Sequence, residues 1–546
     1  TFLAVCAMPL SASAQVVVFT DWVPMTGGTL LATDIYLPAS SGSWPAILVR
    51  TPYDKSTWSN VGLYFTDHGY AFVAQDMRGF YQSQGTWQFF QSDVSDGQET
   101  VDWIANQSWC DGHIGTYGQS ANGVVQYLLA PGASPALGCL GVELAAGSMY
   151  QTWVFQGGAL RRLIPSWLVD VGYSGLVDDL LAHRLLDSWW QPLDVVSQAG
   201  DVSTPGLHIG GWYDHALKGT LDAFSALQSQ GGIGAAGNQK MIIGPWVHNV
   251  NYPRMAGQLI YPINAWFPSD QRLPVYVDWY DYWLKGLPSG VDDWPAVKAY
   301  LMGAVGESGP GNVWVELDEW PPLYEPTPWY LSASGSLNSQ ASATGSTVLT
   351  IDPYDPVPTL GGANGIGSNG PFDQRPVESR DDVLTFTTEP LTRYLKIMGP
   401  ITARIWIVPD TLDLDLSVRL SDVYPDGRSM LVSDGILRAR KRCGDDVECL
   451  LEPGLPVEIE VDLWSTALYF NAGHSIRVAL AGSNSPRFEV NPNHCGDLNG
   501  KDPPVLAHPE ILFGPEHPSA ILLPVSVHVA DAIESGHTSA WGSTPP

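Results

Sequence analysis

The sequence predicts an α/β domain built on a parallel sheet, interrupted by a helical insertion and followed by an all-β sandwich of the jelly-roll type. Three observations predict it. Short apolar runs alternate with helix-compatible segments from Gln15 to Gly286; the stretch from Ser148 to Val196 breaks that rhythm; and from Val297 the texture turns to short alternating strands between Pro, Gly, Asp and Asn turns. The 546 residues also exceed what one hydrophobic core usually serves.

The N-terminus comes first. An apolar stretch from Phe2 to Leu10 is followed by Ser11-Ala12-Ser13-Ala14, the small-residue form of a signal-peptidase site. Residues 1–14 therefore read as a signal-peptide remnant, and a secreted or periplasmic protein is expected. No other apolar run reaches the roughly 18 residues needed to span a bilayer, so no membrane association is expected after signal removal.

In residues 15–147, the runs Ala46–Val49, Tyr70–Ala74, Ile114–Tyr117 and Cys139–Val142 read as buried strands. Residues 201–296 add Leu207–Ile209 and Met241–Ile243, with Leu217, Leu221, Phe224 and Leu227 at helical spacing between them. Continuous apolar strands separated by helices indicate a parallel sheet covered on both faces. The insertion, residues 148–200, carries Trp153, Trp167, Trp189 and Trp190 among Leu-rich segments and reads as a helical cap. Its aromatic residues form either the cap's own core or a ligand pocket. Residues 297–532 form the sandwich, where Ile401–Ile407 and Ser475–Leu480 alternate with a period near two, and residues 533–546 form a tail.

Composition narrows the function. Hydrophobic residues make up 45% and charged residues 15%, which describes a folded globular chain. The net charge of -30 repels phosphate backbones and excludes nucleic acid as a partner. It reads as a solubilising surface, with an acidic pocket for cationic substrates as the alternative. Export permits disulfides. Cys443 and Cys449 flank a short polar loop and are the best candidates for a pair. A second bridge between Cys110 and Cys139, each read as preceding a buried strand, stays open, and Cys495 is left free. Neither Cys-x-x-Cys nor a His ladder occurs, and the acidic loop Asp497, Asn499 and Asp502 departs from EF-hand spacing, so no metal is expected.

The chemistry gathers at strand ends. Gly118-Gln119-Ser120-Ala121-Asn122-Gly123 follows an apolar strand and opens a helix-compatible run, the setting of a nucleophile elbow. The second glycine falls three residues after Ser120, so the match to G-x-S-x-G is imperfect. Asp214 lies just past the strand at Leu207, and His248 just past the strand at Met241. In a parallel sheet these loops open at the carboxyl edge that presents Ser120, and the order Ser, Asp, His is that of α/β-hydrolases. His208, within a strand, reads as a satisfied core histidine. Asp76 ends a strand and is read as a structural ion pair with Arg78 rather than as the triad acid.

At these residues the sequence resembles the CocE/NonD hydrolases, relatives of X-Pro dipeptidyl peptidase. The likeness includes Val49-Arg50-Thr51-Pro52-Tyr53-Asp54-Lys55, Gln75-Asp76-Met77-Arg78-Gly79, Trp109-Cys110-Asp111-Gly112, Gly211-Trp212-Tyr213-Asp214, Gly244-Pro245-Trp246, Asp373-Gln374-Arg375-Pro376 and Asp462-Leu463-Trp464. The resemblance implies an α/β-hydrolase domain, a helical cap and a C-terminal jelly roll. It also implies an oxyanion hole made by the Tyr53 hydroxyl and the Ala121 backbone N–H. Ala121 stands where the family often has Tyr. The stretch from Gly123 to Asp214 is shorter than in cocaine esterase-like members, which implies a reduced cap and a more open cleft. After Asp214 come His215-Ala216-Leu217-Lys218, without the acidic residues that hold a substrate ammonium in the family's α-amino-acid ester hydrolases. With no long N-terminal helical domain either, the amino-terminus-recognising activities are disfavoured.

The resulting expectation is a secreted serine esterase with Ser120, Asp214 and His248 as triad, and Tyr53 and Ala121 as oxyanion donors. Gln119, His215, Trp153, Trp212 and Trp246 are candidate substrate-binding residues. No cofactor is expected, and the partner is a small-molecule ester or amide. The alternatives are an amide acylase of the glutaryl-cephalosporin acylase type, an X-Pro dipeptidyl peptidase, and a glycan-binding protein with an inert hydrolase domain.

Overall fold

The computed structural model describes residues 15–526 apart from Val250, Ser342, Asn499 and Lys501. The stretches expected to be a signal-peptide remnant and a tail, and Asn499 of the acidic loop, lie outside the described residues.

The first domain is built on an eleven-stranded sheet. Its strands are β1 (Val17–Pro24), β2 (Leu30–Leu37), β3 (Trp44–Thr51), β4 (Ala71–Asp76), β5 (Cys110–Thr116), β6 (Leu137–Glu143), β7 (Gly206–Gly211), β8 (Gln239–Gly244), β9 (Val297–Leu301) and β10 (Val313–Leu317). They lie in the order β1-β2-β4-β3-β5-β6-β7-β8-β9-β10, with the short Gly118–Gln119 strand beside β6. Strands β3 to β9 run parallel. The sheet is nonetheless mixed, because β2 joins β4 antiparallel, β1 joins β2 antiparallel, and β10 closes the far edge antiparallel to β9. An edge strand such as β1 is exposed along most of its length, so it lacks the continuous apolar run that marks the central strands. The change of texture at Val297 does not coincide with the end of this sheet, since β9 and β10 extend it to Leu317.

Alternate residues of the central strands feed two cores. Ile47, Val49 and Phe72 pack with Phe65 of α1 (Ser59–Asp67) and with Tyr276 and Trp279 of the last helix of this domain, Ser269–Lys285. Leu48, Val73 and Val142 face the other way, onto Val101 of α2 (Asp93–Ala105), Val124 of α3 (Ala121–Leu129) and Leu227 of the crossover helix Leu217–Gln230. This two-sided cover is what lets β4 be buried at every position.

The cap is built differently. It holds a turn at Tyr150–Val154, a two-residue hairpin, and two short helices, α4 (Leu163–Asp170) and α5 (Leu176–Ala182), eight and seven residues long. Such helices are marginal alone, and packing supplies the rest. Arg184 grips Glu489 of the β domain through two bonds of 2.7 and 2.8 Å. The Leu186 N–H donates to the Asp445 carbonyl, and the Gln151 amide donates to the Asp445 carboxylate. Asp445 sits in the loop closed by the Cys443–Cys449 disulfide, the pair expected from the sequence.

The C-terminal domain packs a seven-stranded sheet, centred on Leu395–Val408, against a four-stranded one of Leu384–Thr387, Ser475–Ala481, Asp415–Val423 and Ser429–Arg438. Cys495 is free and exposed. Cys110 and Cys139 are also free, and both are buried. Cys139 lies inside β6, opposite Gly115, five residues along the neighbouring strand from Cys110. At about 3.3 Å per residue that separates them by roughly 16 Å, too far to bridge. No helix among the described residues is long and apolar enough to cross a membrane.

Candidate active site

Ser120 sits between Gly118–Gln119 and α3 with φ 57° and ψ -128°, a backbone conformation that L-residues adopt only when their surroundings enforce it. The enforcement is visible. The Ser120 N–H donates to the Glu143 carbonyl at 3.0 Å, and its own carbonyl accepts from Gly123 and Val124 at 2.9 and 2.8 Å. The unusual glycine spacing now has a cause. A Cβ on Gly123 would lie 2.7 Å from Ala145 Cβ and 3.0 Å from the Glu143 carbonyl, so glycine is needed where α3 crosses the chain leaving β6. One on Gly118, at φ 141°, would lie 2.7 Å from Asn122 Cβ.

Gln126, which the sequence reading passed over, staples the turn. Its amide donates to the Gly118 and Asn122 carbonyls, while its oxygen accepts from Thr116 and the Gly141 N–H. Its position on α3, facing the strand, was the only signal available. Glu143 was also missed; its carboxylate accepts from Tyr252 at 2.9 Å and Arg272 at 3.0 Å, fixing the strand end that holds Ser120.

Asp214 and His248 meet past the ends of β7 and β8. His248 Nδ1 is 2.6 Å from Asp214 Oδ2, and Asp214 Oδ1 accepts the Ala216 N–H at 2.7 Å. Burial alone would raise the Asp214 carboxyl, but His248, His215 and these bonds outweigh it and hold it below the usual range. His248 keeps a fifth of its side chain exposed and Ser120 is half-buried, whereas Asp214 is fully enclosed. The pairing leaves Nε2 of the imidazole free to exchange a proton with a hydroxyl, and the buried carboxylate fixes its tautomer.

Tyr53 follows β3 in a turn where Asp54 has φ 73° and accepts the Ser56 N–H. Its hydroxyl accepts from Trp167 Nε1 of the cap at 2.9 Å and lies within hydrogen-bonding reach of Ser120. Burial pushes this phenol up, and the two bonds pull it partway back. Ala121 is the first residue of α3, where the backbone N–H has no partner within the helix.

The remaining candidates separate. His215 is buried, with its ring centroid 4.1 Å from that of His248 and its Nδ1 unpartnered. Burial first, and then the neighbouring His248, push it far down, so it packs as a neutral ring. Behind it the buried Arg161 donates to the His215 and Thr152 carbonyls. Burial and Arg487 bring this guanidinium down to about 9. In front of it runs the loop Gly361–Pro371 of the β domain, where a Cβ on Gly365 would meet His215 at 2.8 Å. Gln119 is half-buried, with its backbone paired to Glu143. Trp153 is buried against Trp167, at 5.0 Å, and Phe90, at 5.7 Å, one layer behind the site.

Two tryptophans are corrected. Trp212 is buried between domains, donates to the Tyr300 carbonyl and packs on Trp320. Trp246 is fully buried, donates to the Ala265 carbonyl and stacks on Phe267. Neither ring faces Ser120, because alternation along the chain turns each into the core. Asp76 is corrected too: it accepts the Lys55 and Gln82 N–H groups, while Arg78 pairs with Asp96. His208 is the core histidine expected, bonded to Tyr127 and Gln239 and lowered by burial to about 4. Asp214, His215 and His248 offer ligand atoms within 4.8 Å of one another, the one such group among the described residues. The Asp214–His248 bond and the neighbouring Arg161 cation suit proton transfer better than a metal.

Known proteins identify the family of the chain. The profile of the X-Pro dipeptidyl-peptidase (S15 family) matches residues 27–174 and 173–250, and that of the X-Pro dipeptidyl-peptidase C-terminal non-catalytic domain matches residues 289–522. The cocaine esterase of Rhodococcus sp. strain MB1 Bresler is 32% identical over 92% of this chain and 97% of its own. Among solved structures, an aminopeptidase of a marine-sediment Thaumarchaeota archaeon superposes with a TM-score of 0.79 at 23% identity, covering 96% of this chain and 99% of its own. A CocE/NonD family hydrolase of Staphylococcus aureus superposes with a TM-score of 0.74 at 19% identity, covering 94% of each chain. The chain belongs to the CocE/NonD hydrolases of the X-Pro dipeptidyl-peptidase S15 family, and it is a serine hydrolase.

Proposed function

We propose that the protein hydrolyses carboxylic esters through an acyl-enzyme formed on Ser120. The single observation that carries the reading is the 2.6 Å His248–Asp214 bond, made past the ends of two strands of the same parallel sheet that holds Ser120 in a strained elbow. Ser120 Oγ attacks the ester carbonyl while His248 Nε2 takes its proton. The tetrahedral oxyanion is met by the Tyr53 hydroxyl and the Ala121 N–H. Collapse expels the alcohol, which receives the proton from His248, and water then repeats the sequence to release the acid.

Relatives named as esterases support ester over amide chemistry. The residue after Asp214 is a buried His215 backed by Arg161, which supplies no carboxylate to a substrate ammonium. That favours neutral acyl groups over amino-acyl esters and peptide amino ends. The apolar N-terminal stretch and the Cys443–Cys449 disulfide support a secreted or periplasmic enzyme acting on small molecules.

Ser120→Ala is expected to abolish both ester turnover and labelling by a fluorophosphonate probe. Wild-type levels of either would remove Ser120 from its role.

A further inference from the structure

Trp167 belongs to α4 of the cap, yet its one polar atom reaches into the first domain. Its ring is held on three sides, by Trp153 at 5.0 Å, by Trp87 edge-on at 5.7 Å and by Phe90 stacked at 6.0 Å. Packed rings on three sides leave the indole little freedom, and Nε1–H points at the Tyr53 hydroxyl oxygen, 2.9 Å away. An indole N–H can only donate, so Tyr53 must accept. A phenol has a single hydrogen, which prefers the ring plane. With one side of the oxygen occupied by the Trp167 donor, that hydrogen is turned to the other side, where Ser120 lies within reach.

We propose that Trp167 is a positioning residue that aims the Tyr53 hydroxyl at the oxyanion, so that the oxyanion hole is complete only when the cap is seated. The proposal rests on the reading of Tyr53 as an oxyanion donor. The cap is seated from the far side by the β domain, through Arg184–Glu489 and the Asp445 contacts. The aim of the donor therefore depends on contacts far from Ser120 in sequence.

The test is a double-mutant cycle on turnover of a p-nitrophenyl ester. Tyr53→Phe is expected to lower kcat about 10²–10³-fold, the usual loss for one oxyanion donor. Trp167→Phe, which keeps an aromatic ring and deletes the N–H, is expected to lower kcat about five- to tenfold with KM unchanged. In the Tyr53→Phe background the same change is expected to cost less than about twofold, because the hydroxyl it aims is gone. Replacing the indole at position 167 with its benzothienyl isostere removes the N–H without altering ring size, and the same fall in kcat is expected.

An equal fall in both backgrounds, a change in KM alone, or wild-type kcat with the isostere would overturn the inference and make Trp167 a packing or substrate-wall residue. Wild-type kcat in Tyr53→Phe would instead overturn the oxyanion assignment on which it rests.

Discussion

The carboxyl edge of the first sheet and the cap above it contribute to one site but are held in unlike ways. At the sheet edge the main chain does the positioning. Ser120 is locked by three backbone bonds, Asp214 lies three residues past β7 and His248 four past β8. In the cap, side chains do it: an aromatic cluster inside, with Arg184, Gln151 and the disulfide loop at the rim. The difference assigns two tasks. On the proposed mechanism, attack and proton transfer fall to the part held by the main chain, and the aim of the Tyr53 hydroxyl to a part whose seat is a handful of contacts.

The sharpest way to break the comparison is at Asp214. Asp214→Asn keeps the shape of the loop but favours the wrong imidazole tautomer, and kcat is expected to fall about 10⁴-fold in steady-state assays. A fall under tenfold would mean that the sheet edge does not orient His248 as described.

A smaller effect separates the two regions by glycine. Gly123→Ala places a methyl against Ala145 and the Glu143 carbonyl and is expected to cost about 1–3 kcal/mol of stability. Gly175→Ala, beside α5 with nothing within 4 Å, is expected to stay within about 0.5 kcal/mol of wild type in the same urea titration. Equal losses would show the cap to be as tightly packed as the elbow.

The smallest effect is set by acid. Burial works against the charge on Glu489, but Arg438 and Arg184 outweigh it and hold its carboxyl at about 2. An unfolded glutamate titrates near ~4.3. The folded value is depressed, so this contribution is full above ~4.3 and is lost as pH falls from there toward about 2. Tryptophan fluorescence of the cap is expected to show loosening in that window, ahead of the sheet, and Glu489→Gln should bring it on at neutral pH. Loosening that begins only below pH 2 would remove Glu489 as the clasp.

The same contrast explains what the sequence made legible. Ser120, Asp214 and His248 could be placed because apolar strands announce their own ends, and each residue lies within a few positions of one. Trp212 and Trp246 stand in equally recognisable motifs, yet their indole partners, Tyr300 and Ala265, lie 88 and 19 residues away. Nothing local separates a tryptophan that lines a pocket from one that closes a core. Trp167 shows the reverse. Read only as one of the cap's aromatic residues, it owes its role to Tyr53, 114 residues distant. Strands β9 and β10 read as part of the sandwich because β9 is only five residues long and β10, a half-exposed edge strand antiparallel to it, has the texture of a sandwich strand.

The loop Gly361–Pro371 has a consequence for the order of assembly. It lies against His215, and the Ala363 carbonyl in it is 3.4 Å from the Arg161 guanidinium. Glu489, which clasps the cap, comes later still. A chain emerging N-terminus first has therefore completed its nucleophile elbow long before it has made the wall beside the imidazole or the clasp above it. The surroundings of His215 are therefore complete only once the C-terminal domain has packed onto the first.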